Sequence, residues 1–265
     1  MRRTALLFAF ALTLTSGGTH AAPAPVPVIV ELFTSEGCSD CPPADTLLDK
    51  LIAAQPIAGA NIIGLGQHVD SWDRQGWKDR FSSAAVTHRQ QLYQARFSTE
   101  SIYTPQMVVD GRLEFVGSDG AAALKAIERT LASPHGTLRL TIDGDVASGK
   151  GKAPQIGLSV AASDLPHAGR GDHADIIVAV TESGLSTDVK HGENHGKVLK
   201  HAPVVRYIAT IGQVAADGSI ASARADLPLA ADWQRDHLAV VAFVQETKGR
   251  TILASASVPL KNAHP

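Results

Sequence analysis

The chain has 265 residues, with 24 basic against 26 acidic side chains and a formal net charge of −2. A balance so close to neutral excludes the broad cationic surface that nucleic acid or an anionic membrane would require. Only 2 cysteines are present, which excludes a four-cysteine zinc centre and leaves a single dithiol or disulfide pair.

The first residues are Met1-Arg2-Arg3, followed by an uncharged run from Ala5 to Leu14 and the small residues of Ser16 to Ala22. These are the charged, apolar and small-residue regions of a secretory signal peptide, and the apolar part is too short to span a bilayer. The expectation is a leader over 1–21, a periplasmic or secreted mature chain, and no membrane span. An oxidising compartment of that kind lets a cysteine pair persist as a disulfide. The remaining length exceeds the commonest domain size of roughly 100–150 residues. Because the pattern also changes near Pro134, two domains are expected, over 25–134 and 137–262.

Val28-Ile29-Val30 and Leu32-Phe33 predict a buried strand over 28–34. Ala44, Leu47, Leu48, Leu51 and Ile52 recur at helical spacing and predict a helix over 43–54. A strand over 61–69, a polar and helical insertion over 71–98, strands over 105–110 and 112–117, and a helix over 119–132 follow. Asp110-Gly111 between two apolar runs marks a tight antiparallel turn, and Ser118 or Asp119 can cap the last helix. Beyond Pro134, short β-rich runs near 137–142, 155–161, 174–181, 203–214, 219–226, 237–245 and 251–258 are separated by Gly, Asp, Pro and Ser. That spacing predicts an all-β immunoglobulin-like sandwich, with Leu238 to Val244 as a central strand.

Cys38-Ser39-Asp40-Cys41 falls at the corner between the first strand and the first helix. The positive end of the helix dipole favours a thiolate there, which makes Cys38 the candidate nucleophile and Cys41 the resolving thiol. A structural disulfide is the plainer reading, but a two-residue spacer closes a ring so small that little chain entropy is removed. Glu36 and Asp40 oppose thiolate formation, and Pro42 biases Cys41 away from the α region.

Val28 through Asp45, His68-Val69-Asp70 with Trp72-Asp73, and Tyr103-Thr104-Pro105-Gln106 together resemble the secreted family called domain of unknown function 1223. Gly192-Glu193-Asn194-His195-Gly196-Lys197 through His201 to Val204-Val205-Arg206 is similar to that family's second-domain signature, in which Glu193, Asn194, His201 and Arg206 have no assigned role. The resemblance implies an α/β thioredoxin-like first domain with Thr104-Pro105 at the cis-proline position beside the thiols. It transfers no activity. On that reading Pro105 and His68 join Cys38 and Cys41 as catalytic candidates, and Thr104, Pro105, Gln106 and Trp72 are candidate substrate-binding residues. His68 would exchange protons with the thiols; equally, it would belong to a capped strand end with Trp72 and Trp77 packed over the insertion.

His191, His195 and His201 with Glu193 have the side-chain chemistry of first-row metal ligands. Their order is not His-Glu-x-x-His, and the flanking glycines oppose the helix that would align them. A loop is the reading adopted, with no metal and no cofactor assigned. The functional expectation is thiol–disulfide exchange with a thiol- or disulfide-bearing partner, as a candidate oxidoreductase. Its rivals are a non-catalytic protein- or glycan-binding module with an inert disulfide, and a copper-handling protein.

Overall fold

The computed structural model describes residues 24–146, 154–214 and 221–260. The leader expected over 1–21 and the first residues of the strand expected from 219 lie outside them. The first half runs β1 (Val26–Thr34), α1 (Pro42–Ala54), β2 (Ala60–His68), a short 3₁₀ turn, α2 (Ala84–Phe97), β3 (Gln106–Val109), β4 (Leu113–Val116) and α3 (Gly120–Leu131). Side-chain caps start two of these helices: Ser83 Oγ accepts from the Val86 N–H, and Asp119 Oδ1 accepts from the Ala122 N–H at 2.9 Å. Asp110 and Gly111, both at positive φ, turn β3 into β4 as the sequence pattern indicates.

The second half runs β5 (Thr137–Val146), β6 (Gln155–Ser163), β7 (Ala174–Glu182), β8 (Ser186–Asp188), β9 (Val198–Lys200), β10 (Val204–Gln213), β11 (Ala221–Pro228), β12 (Leu238–Glu246) and β13 (Ile252–Pro259). The strands do not assemble as expected. The chain is mostly β, and one mixed eight-stranded sheet in the order β13-β12-β7-β10-β2-β1-β3-β4 crosses both halves. This overturns the expectation of an α/β thioredoxin-like domain followed by a separate immunoglobulin-like sandwich. Among the described residues, β5, β6 and β11 form a separate three-stranded sheet of the second half, and β8 pairs with β9 in a two-stranded ribbon.

The physical reason lies in the apolar strands of the second half. In β7 and β12 both faces are buried almost throughout, so one opposing sheet cannot cover them. One face packs on the three-stranded sheet, where Val178, Val180, Val240 and Val244 meet Leu140, Ile156 and Leu158. The other face shares a cluster with the first half, in which Ile177, Val241 and Phe243 lie with Ile29, Ile63 and Leu65. The seam is a parallel bridge between Val204 of β10 and Gly66 of β2, where the Gly66 N–H donates to Pro203 O at 2.7 Å. A Cβ at Gly66 would lie 3.0 Å from that same oxygen, so the close approach of the two backbones calls for glycine.

β1 divides its side chains between two layers, as strand geometry requires. Val28, Val30 and Leu32 face a core with Leu48 of α1 and Ile127 of α3. On the opposite face, Phe33 packs against Val86 and Tyr93 of α2. Glu31 also points toward α2 and is fully buried, where Arg89 donates to both of its oxygens at 2.6 and 2.8 Å. Arg89 Nη1 reaches Gln245 of β12 at 3.0 Å, so a buried polar network ties the two halves across the seam.

Candidate functional site

β1 ends at Thr34 and α1 begins at Pro42, so Cys38 and Cys41 occupy the corner between them, joined as a disulfide. Cys41 is the N-cap of α1. The next two residues are prolines and have no N–H, while the Ala44 and Asp45 N–H groups both donate to Cys41 O. The first turn therefore offers the sulfurs its dipole but no uncommitted backbone donor from these four residues. Both cysteines are 1% exposed.

The cover over this corner comes from the second half. The β8–β9 ribbon carries residues 189–197 at its tip, and Asn194, itself fully buried, donates from Nδ2 to the carbonyl oxygens of Glu36 and Cys38, both at 2.9 Å. Glu193 Oε2 accepts from the Ser39 N–H at 3.1 Å, and this contact with Ser39 lowers the Glu193 pKa. Gly192 has φ +77°, and a Cβ there would meet Trp77 Cβ at 3.1 Å. Glycine thus seats the ribbon tip against the first half. The segment 191–196 is a loop, as its glycines indicate, but it lies on the cysteine motif and not apart from it.

On another side of the corner, Trp72 packs beside Gly37 and its Nε1–H donates to Thr104 Oγ1 at 2.8 Å. The Thr104–Pro105 bond is cis. Pro105 and Ala44 both approach Gly117, each within about 3.2 Å of where a Cβ would stand, which brings the proline close to the start of α1. Trp72, Tyr103 and Thr104, with Ser71, Gln75 and Gln90, line a groove of about 210 Å³. Gln106 is not among these residues. It is buried in β3, accepts from Gln90 and donates to Glu114, both at 3.1 Å.

His68, at the end of β2, is drawn into a buried cluster. Its Nδ1 lies 2.6 Å from Asp79 Oδ2, and its ring meets Phe81 and His201 edge to face at 5.4 and 5.1 Å. Asp79 is fixed by the N–H groups of Glu36 and Phe81. Burial acts to lower the His68 pKa, but the carboxylates of Asp79, Asp45 and Glu36 outweigh it and the net shift is upward. Burial likewise acts to raise Asp79, where His68 and the two N–H donors prevail and the shift is downward. Asp45, one turn into α1, is raised because burial dominates the attraction of His68 and the hydroxyl of Thr34. His201 Nε2 lies 3.2 Å from Glu36 Oε1, whose partner oxygen accepts from Trp77 Nε1 at 2.7 Å. Arg206 extends the cluster outward, stacked over Phe81 and Trp233 and paired with Glu182.

Sequence reasoning named the cysteines, Trp72, Trp77, Thr104, Pro105, His68, His201 and Arg206, but it gave Asp45 no role and did not name Asp79 or Phe81, which hold His68. Asp45 had a local signal, since it stands four residues after Cys41 and so on the same helical face. Asp79 sits in a polar insertion without periodicity and offered none.

The family model described as "Protein of unknown function (DUF1223)" matches residues 29–245. A crystal structure of a protein from Agrobacterium tumefaciens is similar at 26% identity and a TM-score of 0.66, covering 92% of this chain and 99% of that one. HBP35 of Porphyromonas gingivalis shares the fold at 16% identity and a TM-score of 0.60, over 92% of this chain and 78% of that one. Comparison with curated proteins finds no match.

Proposed function

The chain belongs to the DUF1223 family, and from that premise we propose that it is a thiol–disulfide exchange protein of a periplasmic or secreted compartment. Cys38 and Cys41 are its redox pair, and the β8–β9 tip is its cover. One observation carries this reading: the cystine lies at a helix start beside the Trp72–Thr104 groove, under a tip held to the motif by side-chain hydrogen bonds from Asn194 and to Glu193. A groove close to the motif and a cover over the sulfurs are features that a pair exchanging with a substrate can use.

In the reducing direction, the Cys38 thiolate attacks one sulfur of a substrate disulfide. A bond forms between Cys38 Sγ and that sulfur, the substrate S–S bond breaks, and the departing thiolate takes a proton. The Cys41 thiolate then attacks Cys38 Sγ, closes the intramolecular disulfide and expels the second substrate thiolate, which is also protonated. The substrate gains two electrons and two protons, and the protein dithiol loses both. Glu36 and Asp40 disfavour thiolates nearby, and Pro42 and Pro43 supply no N–H donor, so the reduced form gains little charge stabilisation.

Equilibration of the leaderless protein with thiol–disulfide buffers tests this, together with turnover of a mixed-disulfide peptide. The expected outcome is catalysis that Cys38→Ser abolishes while the circular dichroism spectrum stays unchanged. Absence of exchange in the parent protein at any buffer ratio would make the disulfide structural.

A further inference from the structure

Asp45, His68 and His201 come from α1, the end of β2 and the segment between β9 and β10. Each presents one ligand atom within 4.8 Å of the others, and all three are buried. From this convergence we propose that they form a three-residue binding site for one divalent first-row transition ion, of which zinc is the type, with Glu36 at its edge beside His201.

Three atoms of this cluster lack hydrogen-bond partners, whereas His201 Nε2 also stands 3.3 Å from Thr187 Oγ1. His68 Nε2, Asp45 Oδ1 and Glu36 Oε1 are each buried and accept or donate no hydrogen bond, although Glu36 Oε1 stands 3.2 Å from His201 Nε2 as an ion pair. Orphaned polar atoms in such a place are costly unless something engages them. His68, Asp45, His201 and Glu36 also line a cavity of about 10 Å³ with Thr34 and Pro42, a volume that admits one water or one ion.

The second layer has the form an imidazole ligand requires. With Nδ1–H donating to Asp79, His68 would offer an Nε2 lone pair to an ion that displaces the Nε2 proton, and Asp79 is itself anchored by the Glu36 and Phe81 N–H groups. Thr34 Oγ1 donates to Asp45 Oδ2 at 2.7 Å, which leaves Oδ1 for a ligand. Two imidazoles with one or two carboxylates form a nitrogen–oxygen donor set that suits zinc or its first-row neighbours better than magnesium or calcium, which prefer oxygen alone. A four-coordinate ion with bonds of about 2.0–2.1 Å would draw the donors inward by small ring and carboxylate rotations. The site stands apart from the thiol chemistry, because the donors are complete with the disulfide closed.

Titration of chelator-treated, fully oxidised protein with Co²⁺ and Zn²⁺ tests the proposal. With the disulfide intact no thiolate can contribute, so the result is independent of the exchange reaction. The expected outcome is one ion per chain, visible d–d bands on adding Co²⁺, bleaching by Zn²⁺, and a higher thermal midpoint. Asp45→Asn and His201→Gln should each weaken Zn²⁺ binding at least tenfold and shift or abolish the Co²⁺ bands. The double variant His191→Gln/His195→Gln, which alters two stacked rings on the exposed ribbon tip, should change neither. Failure of the folded parent to bind either ion would overturn the proposal, leaving a buried water as occupant. Loss of binding through His191 and His195 alone would overturn it as well.

Discussion

The Asn194 amide nitrogen donates to the carbonyl oxygens of Glu36 and Cys38 at 2.9 Å each, so one side chain from the second half closes the cysteine corner of the first. Its Oδ1 accepts from Lys197 Nζ at 2.9 Å, which holds the amide in the orientation that makes the bridge possible. The contact explains why a glycine-punctuated stretch with no periodicity nevertheless has a defined position. The tip is ordered by what it covers.

Asn194→Ala removes both donors and leaves two carbonyls without them. The expected loss of stability is about 1–3 kcal/mol, the usual cost of an unsatisfied buried group. The rate of disulfide reduction by a small dithiol should rise at the same time, because the cover is released. Stopped-flow reduction and urea unfolding check the pair of effects. Lower stability with an unchanged reduction rate would mean that the tip braces the fold without gating the sulfurs.

The cysteine variants separate chemistry from scaffolding. A disulfide closing a ring of fifteen residues contributes about 3 kcal/mol on the chain-entropy account, and the ring here is far smaller. Cys38→Ser should therefore cost less than that and abolish exchange. Cys41→Ser should accumulate a mixed disulfide on Cys38, visible as an adduct in the intact mass. A loss of stability well above the ring-closure figure in both variants, with no adduct, would assign the bond to structure alone.

Local elements were readable because their residues repeat at short range. Leu48 and Leu51 mark α1, Asp110-Gly111 marks the β3–β4 turn, and Asp119 marks the start of α3. Strand partnership was not readable, since it rests on the single bridge between Gly66 and Val204; the glycine inside an apolar strand was its one visible trace. Apolar composition in β7 and β12 signals burial but not which layers do the burying, and that ambiguity produced the expected sandwich. The site divided in the same way. Cys38, Cys41, Trp72 and Thr104 lie within local motifs, whereas the meeting of Asp45, His68 and His201 depends on the continuous sheet. The histidine that joins them stood in the sequence beside two others that do not.

The Glu31–Arg89 pair gives the seam a measurable contribution. Tyr93 and Gln67 also donate to Glu31, and Gln245 of β12 donates to Tyr93 Oη at 2.8 Å. Burial acts to lower the Arg89 pKa, but Glu31 outweighs it and holds the guanidinium charged. Arg89→Met leaves a buried carboxylate without its cation and should cost about 3–5 kcal/mol. The double variant Glu31→Leu/Arg89→Met should recover part of that loss, because the paired charges leave together, while buried Arg250 keeps its cation beside Tyr93 and Asp175. Chemical unfolding of both variants decides it; a double variant no more stable than Arg89→Met would show that the hydrogen bonds, and not the charge, hold the seam.

Asp110 yields a pH dependence of definite sign. Its carboxylate is fully buried, accepts the Ile29 N–H at 2.7 Å and stands 3.1 Å from His135 Nε2. Burial raises its pKa, against the opposing pull of His135 and the Ile29 N–H. A carboxyl that holds its proton more tightly in the folded chain than in the unfolded one stabilises the fold at low pH. That contribution is complete below the ordinary aspartate value of about 3.9 and fades as pH rises through the elevated folded value. Asp110→Asn has no proton to lose, and its Oδ1 can still accept from Ile29. The stability of the parent relative to this variant should therefore fall as pH is raised from about 4 toward 7. Urea unfolding of both proteins across that range measures the gap directly. A gap that is flat would mean that the folded and unfolded carboxyls ionise alike, and a gap that widens with pH would mean that His135 and the backbone donor favour the carboxylate more than burial opposes it.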